Sequence, residues 1–406
     1  MDIFELCSQC EGELREVFEK IDRLSFENTK KVMKAFSDHR VSDAHFAASS
    51  GYGYGDYGRD VCDSIFAQVF GAEAGFARHN IVSGTHALTI GLFGLLRTGD
   101  TLYSVTGKPY DTLDGVIGIT PCDGSLAEFG VIYKQAKGFL DLNEIEAELK
   151  SDKSIKVVYI QRSRGYEQRR TLSVNEIKAV CEVVHRVSDA YVFVDNCYGE
   201  LCEELEPTAV GADIAVGSLI KNMGAGIAES GGYIVGTKEA VERCANRLTT
   251  PGIGLEAGAS LGQTKSILKG LFFAPHVVAQ ALKGAALCSA MLTKLGFEVS
   301  PSPFEDRYDI IQTLTLRSAD KLCRFCEGIQ AASPVDSHVK PEPYAMPGYS
   351  DEVIMAAGAF TQGSSIELSA DGPLREPFTA FIQGGLTYES AKLAFCFAID
   401  RMMKDE

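Results

Sequence analysis

The sequence predicts an α/β fold with a mostly parallel central sheet, followed by a smaller α+β domain. From about residue 60 to residue 250, helix-like segments alternate with short apolar runs, which is typical of parallel strands joined by helices. A long helix-biased stretch then covers about 255–297. After it, strand-like and helix-like segments are mixed, which favours a second and smaller domain.

The chain begins with a stretch that differs from the rest. Residues 2–36 carry apolar residues at helical spacing with charges between them, which predicts an N-terminal helical arm. Residues 44–59 are rich in Gly, Tyr and Ala and predict a loop. We therefore divide the chain into an arm (1–45), a large α/β domain (46–255), and a linking helix with the C-terminal α+β domain (256–406).

Within the large domain, apolar spacing and cap residues locate the elements. The predicted helices are 60–73, 85–98, 141–150, 173–188 and 237–248. The predicted strands are 101–105, 130–134, 156–161, 191–195, 213–217 and 231–236. In the C-terminal domain the predicted strands are 308–316, 353–361 and 364–369, and the predicted helices are 320–331 and 387–404.

Composition and charge exclude several classes of protein. The 406 residues carry a net charge of −16, whereas nucleic-acid binders and proteins of anionic membrane surfaces are usually basic. The chain starts with acidic residues and has no cationic signal segment, so we expect a cytoplasmic protein. Twelve scattered cysteines are typical of reduced thiols. The pairs Cys7/Cys10 and Cys323/Cys326 lack the turn residues of zinc sites, so no metal is predicted.

Lys221 is the most informative residue. It follows the apolar run 213–220, and the preceding apolar strand, 192–194, ends in Asp195. A lysine amine can form a Schiff base with the aldehyde of pyridoxal phosphate (PLP), and a carboxylate can keep the pyridine nitrogen protonated. Ser218 before the lysine and glycines after it fit a cofactor packed against backbone. The combination favours a PLP site over two unrelated surface charges.

Two further segments could hold the cofactor. Ser83, Gly84 and Thr85 open a helix, where free N–H groups and the positive end of the helix dipole suit a phosphate ester. Tyr57 and Arg59 offer a hydroxyl and a guanidinium fork, which together suit a phosphate clamp. The glycine pattern at 53–58 matches a dinucleotide motif but follows no strand, so it does not predict nicotinamide binding.

Aromatic and arginine side chains near strand ends are candidates for ring stacking and anion binding. Tyr110 follows a predicted strand and could stack on a flat ring. Arg162 or Arg164 follows the strand 156–161, where a carboxylate, a phosphate or a subunit interface are alternatives. Arg375 lies in a predicted turn and could grip an α-carboxylate or form a loop salt bridge.

Taken together, these motifs resemble the fold-type I PLP enzymes of Cys/Met metabolism, the methionine γ-lyase and cystathionine lyase relatives. The chain looks closest to the branch called the aluminium-resistance protein family. The resemblance covers nearly the whole chain. The segments that carry it are 83–87, 109–113, 161–166, 194–200, 217–222 and 383–388. It departs from the mainstream lyases at 60–62, where they carry Asn-Pro-Thr, and at Ile220, where they often carry a hydroxyl.

The resemblance implies a role for each candidate. Lys221 would hold the cofactor aldehyde, Asp195 would pair with the pyridine nitrogen, and Tyr110 would stack on the ring. Ser83, Gly84, Thr85 and Ser218 would hold the phosphate. Tyr57 and Arg59 would reach the phosphate of a neighbouring subunit in a dimer, often paired into a tetramer. Arg375 would bind the substrate carboxylate, with Arg162 and Tyr57 as further candidate substrate contacts.

The implied activity is a PLP-dependent carbon–sulfur lyase acting on an amino acid of the cystathionine, cysteine or methionine type. Elimination at Cβ and at Cγ both remain open. The alternatives are another PLP reaction on an amino acid, such as transamination, and a non-catalytic stress-resistance protein that keeps the fold. The name of the branch implies no aluminium site.

Overall fold

A computed structural model describes residues 2–346 and 349–404. The described helices are α1 (Ile3–Glu13), α2 (Arg15–Asp38), α3 (Tyr57–Phe70), α4 (Gly84–Leu95), α5 (Asp114–Ile117), α6 (Leu142–Ser151), α7 (Val174–Val187), α8 (Lys238–Leu248), α9 (Thr264–Lys294), α10 (Ala319–Ala331) and α11 (Tyr388–Met403). The first sheet contains β1 (Ala74–Arg78), β2 (Thr101–Ser104), β3 (Ile132–Gln135), β4 (Ile155–Gln161), β5 (Tyr191–Asp195), β6 (Ile214–Ser218) and β7 (Gly232–Gly236). The second contains β8 (Glu298–Ser300), β9 (Ile311–Thr315), β10 (Tyr344–Ala345), β11 (Glu352–Ala356), β12 (Ser369–Pro373) and β13 (Thr379–Gln383).

The first sheet is covered by helices on both faces. Its strand order is β1-β7-β6-β5-β4-β2-β3. The strand β7 runs in the opposite direction to the other six strands, which all run the same way. Successive side chains of a strand point to opposite faces. Phe193 accordingly packs with α4 and α8, while Val192 and Val194 pack with the core that contains α3, α7 and α9. This is the predicted α/β fold with a mostly parallel sheet.

The second sheet is antiparallel throughout, in the order β10-β11-β12-β13-β9-β8. Residues of α10, α11 and the end of α9 share one hydrophobic core with it. The predicted domain boundary near residue 255 falls between β7, which belongs to the first sheet, and the start of α9. The cysteines Cys7, Cys10, Cys326 and Cys396 are buried in this second core.

The helix α9 is long and apolar enough to cross a membrane by length and composition. Most of its apolar stretch is buried inside the protein, because it contacts α2, α11 and β9. A mostly buried core helix passes the same test, so α9 is weak evidence for a membrane span.

Several predicted elements differ from the observed ones. The N-terminal arm is two helices that meet at Leu14, and α3 begins at Tyr57 inside the predicted loop. The predicted strand 364–369 is wrong, because the chain turns there and the strand follows at 369–373. The strands β1, β8, β10 and β13 were not predicted.

Close backbone packing explains two of these differences. β1 contains Gly75 and lacks β-branched residues, yet a Cβ at Gly75 would meet the Val235 side chain at 2.6 Å. β12 contains Gly372 and Pro373, which usually favour turns. A Cβ at Gly372 would lie 2.5 Å from the Thr379 carbonyl oxygen. Both glycines are therefore explained by tight contacts between paired strands, Gly75 with β7, which is distant in sequence, and Gly372 with the next strand, β13.

The contact between α10 and α11 gives a stability prediction. In Gly328→Ala the new Cβ would lie 2.4 Å from Cα of Ala398, so the helices must separate. We expect a loss of about 1–3 kcal/mol in unfolding free energy, which outweighs the higher helix propensity of alanine. Gly12→Ala, in α1, is the matched control because its Cβ would meet nothing within 4 Å. Denaturant unfolding measures both, and equal stabilities of the two variants would contradict this packing.

Candidate active site

Three neighbouring parallel strands end together and carry polar side chains at their carboxyl ends. Gln161, the last residue of β4, pairs in register with Asp195, the last residue of β5. Asp195 in turn pairs with Val216 of β6, so Ser218 and Lys221 follow at the same edge. The carboxyl edge of a parallel sheet is where ligands usually bind.

Lys221 lies among acidic and aromatic groups. Its ammonium is 4.0 Å from the centroid of the Tyr198 ring. Burial alone would lower the pKa of Lys221, but Cys197, Tyr198 and Asp195 outweigh burial and raise it. The charged ammonium form of Lys221 is therefore favoured by the groups around it.

Asp195 is 5% exposed and is held by two donors. Its carboxylate accepts from the Cys197 amide at 3.1 Å and from the Tyr159 hydroxyl at 3.3 Å. Burial raises the pKa of Asp195, whereas Lys221 acts in the opposite direction. A buried carboxylate of this kind is stabilised by a cationic partner such as a protonated pyridine nitrogen.

The N-terminus of α4 supplies donors on the same side. Ser83 is the N-cap, and its hydroxyl accepts from the His86 amide at 3.0 Å. The first N–H groups of a helix have no partner within it, which leaves the amides of Gly84 and Thr85. A Cβ at Gly84 would meet Ser218 at 3.4 Å and Cys197 at 3.5 Å, so a side chain there would crowd the site.

An aromatic cluster forms the side of the site that faces the second sheet. The hydroxyls of Tyr110 and Tyr349 are 2.6 Å apart, and the Tyr110 ring lies 5.9 Å from that of Tyr166. Burial raises the pKa of Tyr110 well above its ordinary value. Tyr110 therefore keeps its proton at neutral pH.

These groups surround one cavity of about 250 Å³. Seven of the predicted residues line it, namely Ser83, Gly84, Thr85, Tyr110, Asp195, Ser218 and Lys221. They fit PLP: a lysine for the aldehyde, a buried carboxylate for the pyridine nitrogen, a tyrosine for the ring, and free amides at a positive helix end for the phosphate.

Tyr57 and Arg59 lie outside this cavity. Tyr57 is 76% exposed, while Arg59 is 4% exposed and donates to the carbonyl oxygens of Gly53 and Gly258, both at 2.9 Å. Their predicted role concerns a neighbouring subunit, so it stays a prediction.

Arg162 is fully buried and is not among the residues that line the cavity. It donates to Asn196 at 2.9 Å, to the Gly199 carbonyl at 2.8 Å and to Glu203 at 2.6 Å. These donors are used inside the protein, so Arg162 braces the loop after β5, and its contact with substrate stays a prediction. Arg164 does not line the cavity either, and its guanidinium donates to the Ser300 hydroxyl at 3.1 Å.

Arg375 is not among the residues that line the cavity. It lies in the turn after β12 and forms a salt bridge with Asp351 at 3.0 Å. This is the loop salt bridge that the sequence left as an alternative. The contact of Arg375 with the substrate carboxylate stays a prediction, because Arg375 does not line the cavity.

Sequence reasoning missed several residues of the site. Tyr159 precedes the end of β4 by two residues and looks like an ordinary core aromatic. Tyr198, Tyr349, Asp371 and Gln383 also line the cavity. Asp371 and Gln383 lie on strands of the second sheet, and no local pattern pairs them with a site built on the first. Within residues 2–346 and 349–404, no cluster of His, Cys, Asp and Glu could hold a metal ion.

Comparison with known proteins places the chain in a family. The family model for methionine gamma-lyase matches residues 3–403. The uncharacterized protein YnbB of Bacillus subtilis is 48% identical over 405 residues, covering 98% of this chain and 96% of YnbB.

Solved structures agree with this placement. A Clostridium acetobutylicum protein, provisionally assigned as a cystathionine beta-lyase involved in aluminium resistance, is 47% identical with a TM-score of 0.96. The match covers 99% of this chain and 96% of that one. A carbon-sulfur lyase involved in aluminium resistance from Clostridium novyi is 50% identical with a TM-score of 0.95, again covering 99% and 96%. The chain therefore belongs to the methionine gamma-lyase family and has the fold of fold-type I PLP-dependent enzymes.

Proposed function

We propose that the protein is a PLP-dependent carbon–sulfur lyase that acts on a sulfur-containing amino acid. The observation that carries the proposal is the convergence of Lys221, Asp195 and Tyr110 with the N-terminus of α4 on one cavity. The likeness to the Clostridium novyi carbon-sulfur lyase supports the same reaction class. PLP, when bound, supplies an electron sink that lets the substrate lose a proton from Cα.

The residues of the chain have separate roles in binding the cofactor and in transferring protons. Asp195, supported by Tyr159 and the Cys197 amide, presents a buried carboxylate to the pyridine nitrogen. The Lys221 amine, displaced by the substrate amine, takes the proton from Cα. Burial keeps Tyr110 protonated, and we assign its hydroxyl as the acid that gives a proton to the departing sulfur.

The overall reaction balances as an elimination. The carbon–sulfur bond at Cβ or Cγ breaks and the sulfur leaves as a thiol. One water is then consumed by hydrolysis, which gives a 2-oxo acid and ammonia. Lys221 would hold the cofactor aldehyde between turnovers.

The proposal includes a cytoplasmic homodimer with shared sites, paired into a tetramer. The exposed tyrosines Tyr52 and Tyr54, in the loop before α3, and Tyr57, its first residue, support it, because they are large aromatic groups close together in the chain. Large exposed aromatic groups of this kind mark contact sites between proteins.

Asp195→Asn tests the electrostatic role of the carboxylate. Asparagine cannot hold the pyridine nitrogen in its protonated form, so we expect kcat for 2-oxo acid release to fall on the order of 100-fold. Asp189→Asn, on the exposed loop before β5, is the control and should keep full activity. Full activity of Asp195→Asn would remove Asp195 from the cofactor site.

Tyr57→Phe tests the shared site. Loss of one hydrogen bond to a charged phosphate should weaken PLP retention roughly 10-fold, measured by equilibrium dialysis. Tyr54→Phe, an equally conservative change on the same exposed loop, should leave retention unchanged. Equal retention in both variants would contradict a phosphate contact by Tyr57.

A further inference from the structure

Three arginine side chains meet where the large α/β domain contacts the C-terminal domain. Arg164 and Arg169 belong to the segment 162–171, which follows β4, and Arg307 belongs to the segment 301–310, between β8 and β9. Arg164 is 3% exposed and Arg307 is 8% exposed. Arg169 is partly exposed, but its Nε and Nη1 atoms are buried. None of the three lines the active-site cavity.

Arg164 and Arg307 are held by adjacent residues at the end of β8. Nη1 of Arg164 donates to the Ser300 hydroxyl at 3.1 Å, and Nη2 of Arg307 donates to Oε1 of Gln312 at 2.7 Å. Nε2 of the same Gln312 donates to the carbonyl oxygen of Pro301 at 3.2 Å. The two guanidinium groups therefore lie beside the same turn.

Arg169 joins them from the large domain. Its Nη2 donates to the carbonyl oxygen of Ser163, the residue before Arg164. Burial lowers the pKa of Arg169 and of Arg307 to about 10, and the charge of Arg164 acts in the same direction on both. A like charge lowers a pKa in this way only when it is close. We call these three side chains the arginine cluster, and all three are charged at neutral pH.

The arginine cluster has no ionic partner. In the part of the chain that the structure describes, none of its members forms a salt bridge with an acidic residue. Asp309 opposes the effect of burial on the pKa of Arg169 and Arg307, but its carboxylate accepts from the Thr171 hydroxyl and the Ile311 amide. Three positive charges thus share one carboxylate, whereas buried charges are normally paired.

The hydrogen bonds show the same deficit. Nε of Arg164, and both Nε and Nη1 of Arg169 and of Arg307, are buried and have no acceptor among the described residues. Buried polar groups in proteins nearly always have a partner, and an ion is one explanation when the chain supplies none. Guanidinium groups only donate, so their partner must accept several bonds. A water molecule could accept two of these bonds, but it would leave the positive charge unbalanced.

The surroundings of these nitrogen atoms favour a small anion. Protein atoms shield them from solvent on the side of the two domains. A phosphate, a sulfate or an organic acid would need the two domains to separate. A monatomic anion occupies about the space of one water molecule and accepts N–H groups from any direction.

We propose that the arginine cluster binds one halide ion, chloride under physiological conditions, which ties the segment 162–171 to the segment 301–310. Ser163 and Tyr166 belong to the first segment and line the active-site cavity, so the anion anchors this wall of the cavity. The inference goes beyond the proposed lyase function and does not depend on it.

The first test compares sodium chloride with sodium gluconate at equal ionic strength, using the full-length wild-type protein with its cofactor as purified. A ligand that binds only the folded protein raises Tm. We expect a rise of roughly 1–2 °C for each tenfold increase in chloride above its dissociation constant. Gluconate is too large for the cluster and should give no such rise. Equal Tm values in the two salts at every concentration would overturn the proposal.

Substitutions assign the effect to the arginine cluster. Arg307→Met removes one charge and two of the unpaired nitrogen atoms but keeps a long side chain, so the chloride-dependent rise in Tm should disappear. Arg170→Met is the matched control, because Arg170 is an exposed neighbour of Arg169 that pairs with Glu176. It should keep the full rise. A rise that survives in Arg307→Met would contradict the assignment.

A structural test needs no variant. Crystals of the wild-type protein grown without chloride and soaked in sodium bromide should show an anomalous bromide peak within hydrogen-bond distance of the arginine cluster. Water in place of bromide at that position would overturn the proposal. A bromide peak in a protein whose Tm does not depend on chloride would show an adventitious ion only, and would overturn it as well.

Discussion

The parallel register of β4, β5 and β6 is the constraint on which the site depends. It sets Gln161 beside Asp195, and it brings the end of β6, with Ser218 and then Lys221, to the same edge. The strands are buried on both faces, so a shift of one residue would turn apolar side chains such as Phe193 and Val194 into the wrong cores. The packing that stabilises the large sheet therefore also fixes the spacing of the catalytic groups.

The part of the chain that contains the second sheet also lines the cavity. Tyr349, Asp371 and Gln383 come from a part of the chain that follows α9, and they face the lysine across the cavity. The first sheet supplies groups that suit the cofactor, whereas the second supplies a carboxyl group and an amide to the same cavity.

Local sequence patterns predicted the cofactor wall well, because each of its residues follows a short apolar strand or opens a helix. Lys221, Asp195 and Ser83 carry that signal within a few residues. The other wall could not be predicted in this way. Asp371 looks like a turn residue beside Gly372 and Pro373, and only the pairing of β12 with β11 and β13 makes it part of a strand. For Arg162 the local pattern was less informative. Its place after a strand suggested a ligand contact, whereas its guanidinium donates to groups inside the protein.

The most direct test of the account is the visible absorbance of the purified protein before and after borohydride, followed by mass analysis of its peptides. The account predicts a yellow protein whose band borohydride removes, with the reduced cofactor attached to the peptide that contains Lys221. A protein that stays colourless with added PLP, or a cofactor fixed to another lysine, would contradict it.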